Sequence, residues 1–465
     1  MDASAARGPG MEGSIYPGRA TGARYRDPAV AAPASPLLRP LDLRGVTDYQ
    51  GRLPRPDPQG KEPVDAVRDI IDRVRSGGDR ALRELTARFD GAVLDDLRVP
   101  DGELTKALGS IDPAVRDALE QAAAGIDDFH RAQLHLPRDY RRDGIEIREV
   151  LQPVDRAGCY VPGGRARYPS TVLMTVLPAK AAGVDEVVVC VPPDRDGSVP
   201  DVVLAAAALA GADAVYRVGG AQAIAAMAYG TESIPAVDVI VGPGNVYVAV
   251  AKREVAGRVA VPSAFTGPSE VVVVADDTAP AEYAAIDLVV QAEHGPDGLA
   301  WLITWSEAAA AAISDEVARC AARAPRREEI EATLGDNGYA VLVDGPVQAI
   351  EVANLIAPEH LQLMTDDPSI LVPLVRHAGA VFCGPWAPAS VGDYVAGPSH
   401  VLPTFGSARF AGALTVTDFQ KPVHVVTLDR EALEKVGPQV VTLAEAEGLA
   451  AHAESIRARA SGRDT

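Results

Sequence analysis

Apolar and polar positions along this chain follow two rhythms, and the change from one to the other marks its elements. Residues 64–89 and 113–129 carry apolar side chains at helical spacing, which predicts two amphipathic helices, the first broken at Gly77-Gly78. Residues 186–191 form a continuous valine-rich run, the pattern of a strand covered on both faces. From there the periods alternate: helix 202–210, strand 214–218, helix 221–229, strand 237–241, helix 246–255. A second series begins with strand 270–275, a helix carrying Gln291 and His294, strand 299–304 and helix 306–322. Strand 340–343, a short helix at 347–354 and strand 380–382 complete it. This order predicts an α/β protein with two doubly wound, parallel-sheet units of similar size. Residues 414–459 read as a strand at 423–427 plus helices, too short for a large independent domain. Residues 1–38 lack periodicity, are rich in Gly, Ala, Pro and Arg, and read as a disordered extension.

Composition narrows the setting. At 465 residues the chain has room for two or more domains. Hydrophobic residues make up 47% and aromatics only 5%, so the cores are aliphatic. The formal charge of -20, from 64 acidic against 44 basic residues, opposes nucleic acid and anionic membranes as partners. No apolar run reaches the roughly 20 residues needed to span a bilayer, and no secretory h-region stands at the start. Cys159, Cys190, Cys320 and Cys383 are far apart with no CxxC spacing, which fits a reduced, cytoplasmic protein.

Several short tracts carry chemistry. Gln291-Ala-Glu-His294 sets an amide and an imidazole three apart, on one helix face and about one turn from each other. That is half of a metal site; it is also an ordinary helix end, with Gly295-Pro296 stopping the turn. Glycine-rich turns at 161–164, 218–222 and 242–245 follow predicted strands, where a parallel sheet keeps its ligands, although no GxGxxG follows a strand. Glu359-His360 pairs a carboxylate with an imidazole. On a helix the two would point about 100° apart and serve separate proton transfers, or the Glu would simply cap a helix start. Asp393, in Gly392-Asp-Tyr394, offers an oxygen ligand or a turn Asp, and His400 follows in the same loop-rich stretch. Glu447 and His452 lie five apart in a helical tract at 443–456, about 140° from each other around the axis.

Taken in order, the tracts 158–164, 168–171, 218–224, 241–247, 267–270, 291–294, 358–361, 392–394 and 400–403 resemble the histidinol dehydrogenase family. The resemblance runs from about residue 41 to 459. It implies an enzyme with two incomplete Rossmann-like domains that oxidises L-histidinol to L-histidine through an enzyme-held aldehyde, reducing two NAD. It implies one Zn2+ per subunit on Gln291, His294, Asp393 and His452, the last reaching in from the other chain of a homodimer with shared active sites. Glu359 and His360 match the acid/base pair, and Tyr160, Gln222 and Asn245 the NAD contacts. Ser269, His400 and Glu447 match substrate contacts, together with His360 and the metal ligands; Glu447 too comes from the partner chain. The corresponding organisation is a zinc and catalytic domain at 41–158 and 272–413, an NAD-binding domain at 159–271, and a dimerisation segment at 414–465. One departure is Ala389, where many members carry Glu. Two rivals follow: a paralogue oxidising another small amino or sulfonated polyol alcohol, and a zinc-binding protein without catalysis.

Overall fold

The computed structural model describes residues 36–54, 63–164, 166–262, 269–293 and 298–460. Strand β1 (Arg39–Asp42) precedes helices α1 (Val64–Phe89), α2 (Asp101–Ser110) and α3 (Pro113–Ala132), and then the hairpin β2 (Arg138–Arg142) and β3 (Ile145–Pro153). The first alternating series is β4 (Arg156–Tyr160), α4 (Pro169–Ala182), β5 (Glu186–Val191), α5 (Asp201–Ala210), β6 (Ala214–Arg217), α6 (Gly220–Tyr229), β7 (Val239–Val241) and α7 (Val246–Val255). The second opens with β8 (Glu270–Ala275), α8 (Ala281–Ala292), β9 (Leu299–Thr304), α9 (Glu307–Arg323), α10 (Arg327–Asn337) and β10 (Gly338–Leu342). It continues through α11 (Pro346–Ile356), β11 (His360–Met364), β12 (Ala380–Cys383) and α12 (Ala389–Tyr394). The chain closes with β13 (Gln420–Thr427), α13 (Arg430–Ala446) and α14 (Ala450–Ala460).

Two parallel sheets form, as the alternation predicts. The larger runs β1-β10-β9-β8-β11-β12 and the smaller β6-β5-β4-β7. In each, the chain steps outward in one direction and then returns to build the other way, between β8 and β11 and between β4 and β7. Such switch points open a crevice in a doubly wound sheet. The central strands β8 and β9 are apolar except at one end each, Glu270 and Thr304, because helices cover both faces, and every residue of the two is buried. A third sheet, β13-β3-β2, is antiparallel and turns through Asp143-Gly144, both at positive φ as a tight hairpin requires.

The structure departs from the sequence expectations at four places. Helices α1, α2 and α3, expected with residues 272–413, pack on α6, α5 and α4 and share cores with the smaller sheet. The apolar stripe says only that these helices must bury a face, not on which sheet. Of the expected extension 1–38, residues 1–35 lie outside the described residues, but Leu37 and Leu38 are buried in the larger sheet's core. His360 opens a strand rather than a helix; Ala357 at φ 50° ends α11 and turns the chain into β11. The tract 443–456 is two helices, broken by Gly448 at φ 73°, so Glu447 ends one and His452 begins the next.

Candidate active site

Chemistry-bearing side chains gather at the amino ends of β8 and β11, the switch-point strands of the larger sheet. His360 and Glu359 are both buried, with Nδ1 of the ring 3.7 Å from Oε2 of the carboxylate. Helix α8 ends above them, and its buried Gln291 places Nε2 3.1 Å from His360 Nδ1. From the other side α12 brings Asp393 Oδ1 to 3.4 Å from His360 Nε2. The Glu359 carboxylate accepts from the Glu270 N–H at 3.1 Å and from the Ser269 hydroxyl. Burial pushes the pKa of Glu359 up, against the pull of His360. For His360, burial opposes the charged ring, but the carboxylates of Glu359 and Asp393 outweigh it and the pKa is raised. Both groups therefore hold a proton to higher pH than the free side chains do.

His400 lies one step behind Asp393. Its Nδ1 is 2.9 Å from the Asp393 carbonyl and its Nε2 is 3.2 Å from the Thr171 hydroxyl at the start of α4. A carbonyl only accepts, so Nδ1 carries the proton; in the neutral tautomer that follows, Nε2 accepts from Thr171. Ser399 Oγ donates to the Met174 carbonyl at 3.0 Å, a second tie between this loop and α4.

The three expected cofactor residues sit at the carboxyl ends of the smaller sheet. Tyr160 ends β4, and its buried hydroxyl accepts from the Gly220 N–H at 3.1 Å. Gln222 is buried in the first turn of α6, whose N-terminus has no side-chain cap. Asn245 caps α7, its Oδ1 accepting from the N–H groups of Tyr247 at 3.0 Å and Val248 at 3.2 Å. The Gly242 turn presses on Tyr160: φ is 105°, and a Cβ there would fall on the Tyr160 carbonyl oxygen. The two halves therefore use opposite strand ends, amino in the larger sheet and carboxyl in the smaller.

Some predicted residues do not join this cluster. His294 lies outside the described residues. Glu447 and His452 are exposed at the α13–α14 junction, and among the described residues no group of three or more His, Cys, Asp or Glu is arranged to hold a metal.

The model of the histidinol dehydrogenase family matches residues 53–460. The chain belongs to the histidinol dehydrogenase family. A histidinol dehydrogenase of Parasynechococcus marenigrum is 48% identical over 423 residues, covering 90% of this chain and 95% of the relative. One from Methanothermobacter thermautotrophicus is 47% identical over 396 residues, 84% of this chain and 92% of its own. The crystal structure of histidinol dehydrogenase from Elizabethkingia anophelis superposes with a TM-score of 0.88 at 33% identity, covering 91% of this chain and 98% of that one. With the family goes the class: the chain is an oxidoreductase.

A divalent metal, which membership of the family implies, fits the residues present. Gln291 Oε1 is buried and has no hydrogen-bond partner among the described residues, and the half-buried Asp393 carboxylate stands across the same imidazole. An orphaned buried oxygen is costly unless something electropositive meets it. The sequence reading missed Glu270 and Thr171, which hold Glu359 and His400. Glu270 is buried, and besides its N–H to Glu359 its Oε2 accepts from the Phe405 N–H at 3.1 Å. A carboxylate leading an otherwise apolar strand is the signal that would have found it.

Proposed function

We propose that this chain oxidises L-histidinol to L-histidine in two NAD-dependent steps, with one Zn2+ per subunit. The buried Glu359–His360 pair, flanked by Gln291 with its orphaned oxygen and by Asp393, is the observation that carries the reading. Gln291, His294 and Asp393, with His452 of the partner subunit, would hold the zinc. When bound, zinc supplies a fixed anchor for the amine and imidazole of the substrate, and NAD supplies the hydride acceptor. His360 accepts the proton of the alcohol as it becomes the aldehyde. Glu359, its pKa raised by burial, then takes a proton from the water that adds to the aldehyde carbon. The hydrate loses a second hydride and becomes the carboxylate, so one histidinol yields two NADH. Ser269 and the Glu270 N–H keep the Glu359 carboxylate aimed at the cleft. Tyr160, Gln222 and Asn245 line the cofactor edge, within the NAD-binding unit at 159–271. His400 and the partner subunit's Glu447 complete the substrate pocket.

A homodimer is part of the reading, built through β13 and the α13–α14 junction. Val423, Val425 and Val426 on β13, with Leu443 and Leu449 near the α13–α14 junction, are exposed in the single chain. A three-stranded sheet with bare apolar faces gains stability by packing on a second copy. The reading includes the cytoplasm as the site of action; among the described residues no helix is long and apolar enough to cross a membrane.

The second reading, another small amino or sulfonated polyol alcohol, is favoured by Ala389. It is buried one helical turn before Asp393, where many family members carry a carboxylate. NADH formation from L-histidinol, against a panel of such alcohols, decides between them. Two NADH per histidinol, abolished by chelation and restored by Zn2+, is the expected result. Turnover confined to another alcohol would overturn the first reading, and no zinc-dependent turnover at all would leave a non-catalytic zinc-binding protein.

A further inference from the structure

We propose that Lys252 is a positioning residue for the cofactor turn: its buried amine holds the Gly242 carbonyl and so fixes the backbone of residues 242–245 beside Tyr160. The proposal rests on reading the carboxyl ends of the smaller sheet as the NAD site. Lys252 lies on α7 and is wholly buried, a degree of burial lysine almost never reaches without a partner. Its helix neighbours Val248, Val250, Ala251 and Val255 belong to an aliphatic core, where another aliphatic residue would pack without desolvating an amine. Burial alone pulls its pKa down to about 7, so the position carries a stability cost. Among what the amine meets there is Gly242, whose carbonyl accepts from Nζ.

That carbonyl is a consequential one. Gly242 leaves β7 at φ 105° directly against the end of β4, with no room for a side chain between them. The far end of the turn is held by the Asn245 cap. Only Pro243 and Gly244 lie between the two anchors. Without Lys252, the Gly242–Pro243 peptide is free to rotate, and the wall beside Tyr160 and the start of α6 changes shape. A turn fixed before the cofactor arrives spares the ordering cost of binding.

Lys252→Met keeps the length and packing of the stem and removes the donor, whereas Lys252→Gln keeps a shorter, uncharged donor. NAD affinity is measured calorimetrically on zinc-loaded protein, L-histidinol affinity without NAD, and backbone hydrogen exchange across 239–247 without either. Lys252→Met is expected to weaken NAD tenfold or more, to quicken exchange in the turn, and to leave histidinol affinity within twofold; Lys252→Gln is expected to fall between Met and parent. Parent-like NAD affinity and exchange in the Met variant would overturn the proposal. So would equal losses of NAD and histidinol affinity, the mark of a merely structural lysine. If the Met variant does not fold, Lys252→Gln decides: at least a threefold loss of NAD affinity supports the proposal, and parent-like values overturn it. A parent enzyme that binds no NAD would sink the cofactor reading instead, and the exchange measurement would then decide alone whether Lys252 holds the turn.

Discussion

Replacing Thr171 by Val tests how the two sheets are joined through the site. The substitution keeps the shape of a fully buried side chain and deletes one hydroxyl, the donor that meets His400 Nε2 at 3.2 Å. His400 keeps its Nδ1 contact, at 2.9 Å from the Asp393 carbonyl, and loses the hydroxyl at Nε2. An unsatisfied buried acceptor costs about 1–3 kcal/mol. His400 is only half-buried, so water can reach the ring and the low end, about 1 kcal/mol, applies to folding stability. The larger effect falls on Asp393. Loss of an outer partner of a metal ligand typically lowers metal affinity about 10- to 100-fold, and one indirect hydrogen bond places this case near tenfold. Zinc affinity by competition with a chromogenic chelator, and stability by urea denaturation, read the two effects separately. Zinc binding at the parent level, with stability reduced by the expected amount, would refute the coupling: His400 would then steady the loop and not the ligand.

Glu359→Gln should leave the first oxidation running and slow aldehyde oxidation by roughly 10²–10⁴-fold, so a single NADH per histidinol accumulates in rapid-quench experiments. Parent-rate oxidation of L-histidinal would show that another group activates water. Gly242→Ala places a Cβ on the Tyr160 carbonyl at φ 105°, so NAD affinity should fall more than tenfold on calorimetric titration; unchanged binding would mean the turn yields at no cost. Burial raises Asp287 to about 6, above its unfolded value, so its contribution to stability is present below pH 4 and is lost as pH rises through about 6. Asp287→Asn should therefore be more stable than the parent at pH 8, with the gap closing as pH falls to 4; a pH-independent difference in denaturation midpoints would contradict this.

Much of the fold was legible because buried parallel strands leave an unmistakable apolar signature. Residues 186–191, 270–275 and 299–304 coincide with β5, β8 and β9 to the residue. β11 escaped notice because its strand, His360–Met364, carries a histidine that meets α8 and α12 and a glutamine that meets the Gly384 and Ala387 carbonyls. Buried polar residues broke the very pattern that reveals a strand. Likewise Glu359 and His360 were recognisable as a pair, yet their setting depended on one left-handed residue, Ala357, that no periodicity announces. Gln291 and Asp393 could be named from their motifs, but that they flank one imidazole is a matter of sheet order, which depends on contacts far apart in sequence. The glycine turns at 161–164, 218–222 and 242–245 were the most readable part of the smaller sheet's carboxyl edge, because glycine there answers to backbone geometry.

The opposite strand ends used by the two halves also set the field across the cleft. In a βα unit the helix runs counter to its strand, so the larger sheet turns the carboxyl end of α8 toward the cleft, at Gln291, with its partial negative charge. The smaller sheet turns the uncapped amino end of α6 toward it, at Gly220 and Gln222, with partial positive charge. Under the proposed function, a cationic amino alcohol with its metal would meet the negative helix end and an anionic dinucleotide the positive one. On that reading the backbone alone would sort the two ligands by sign.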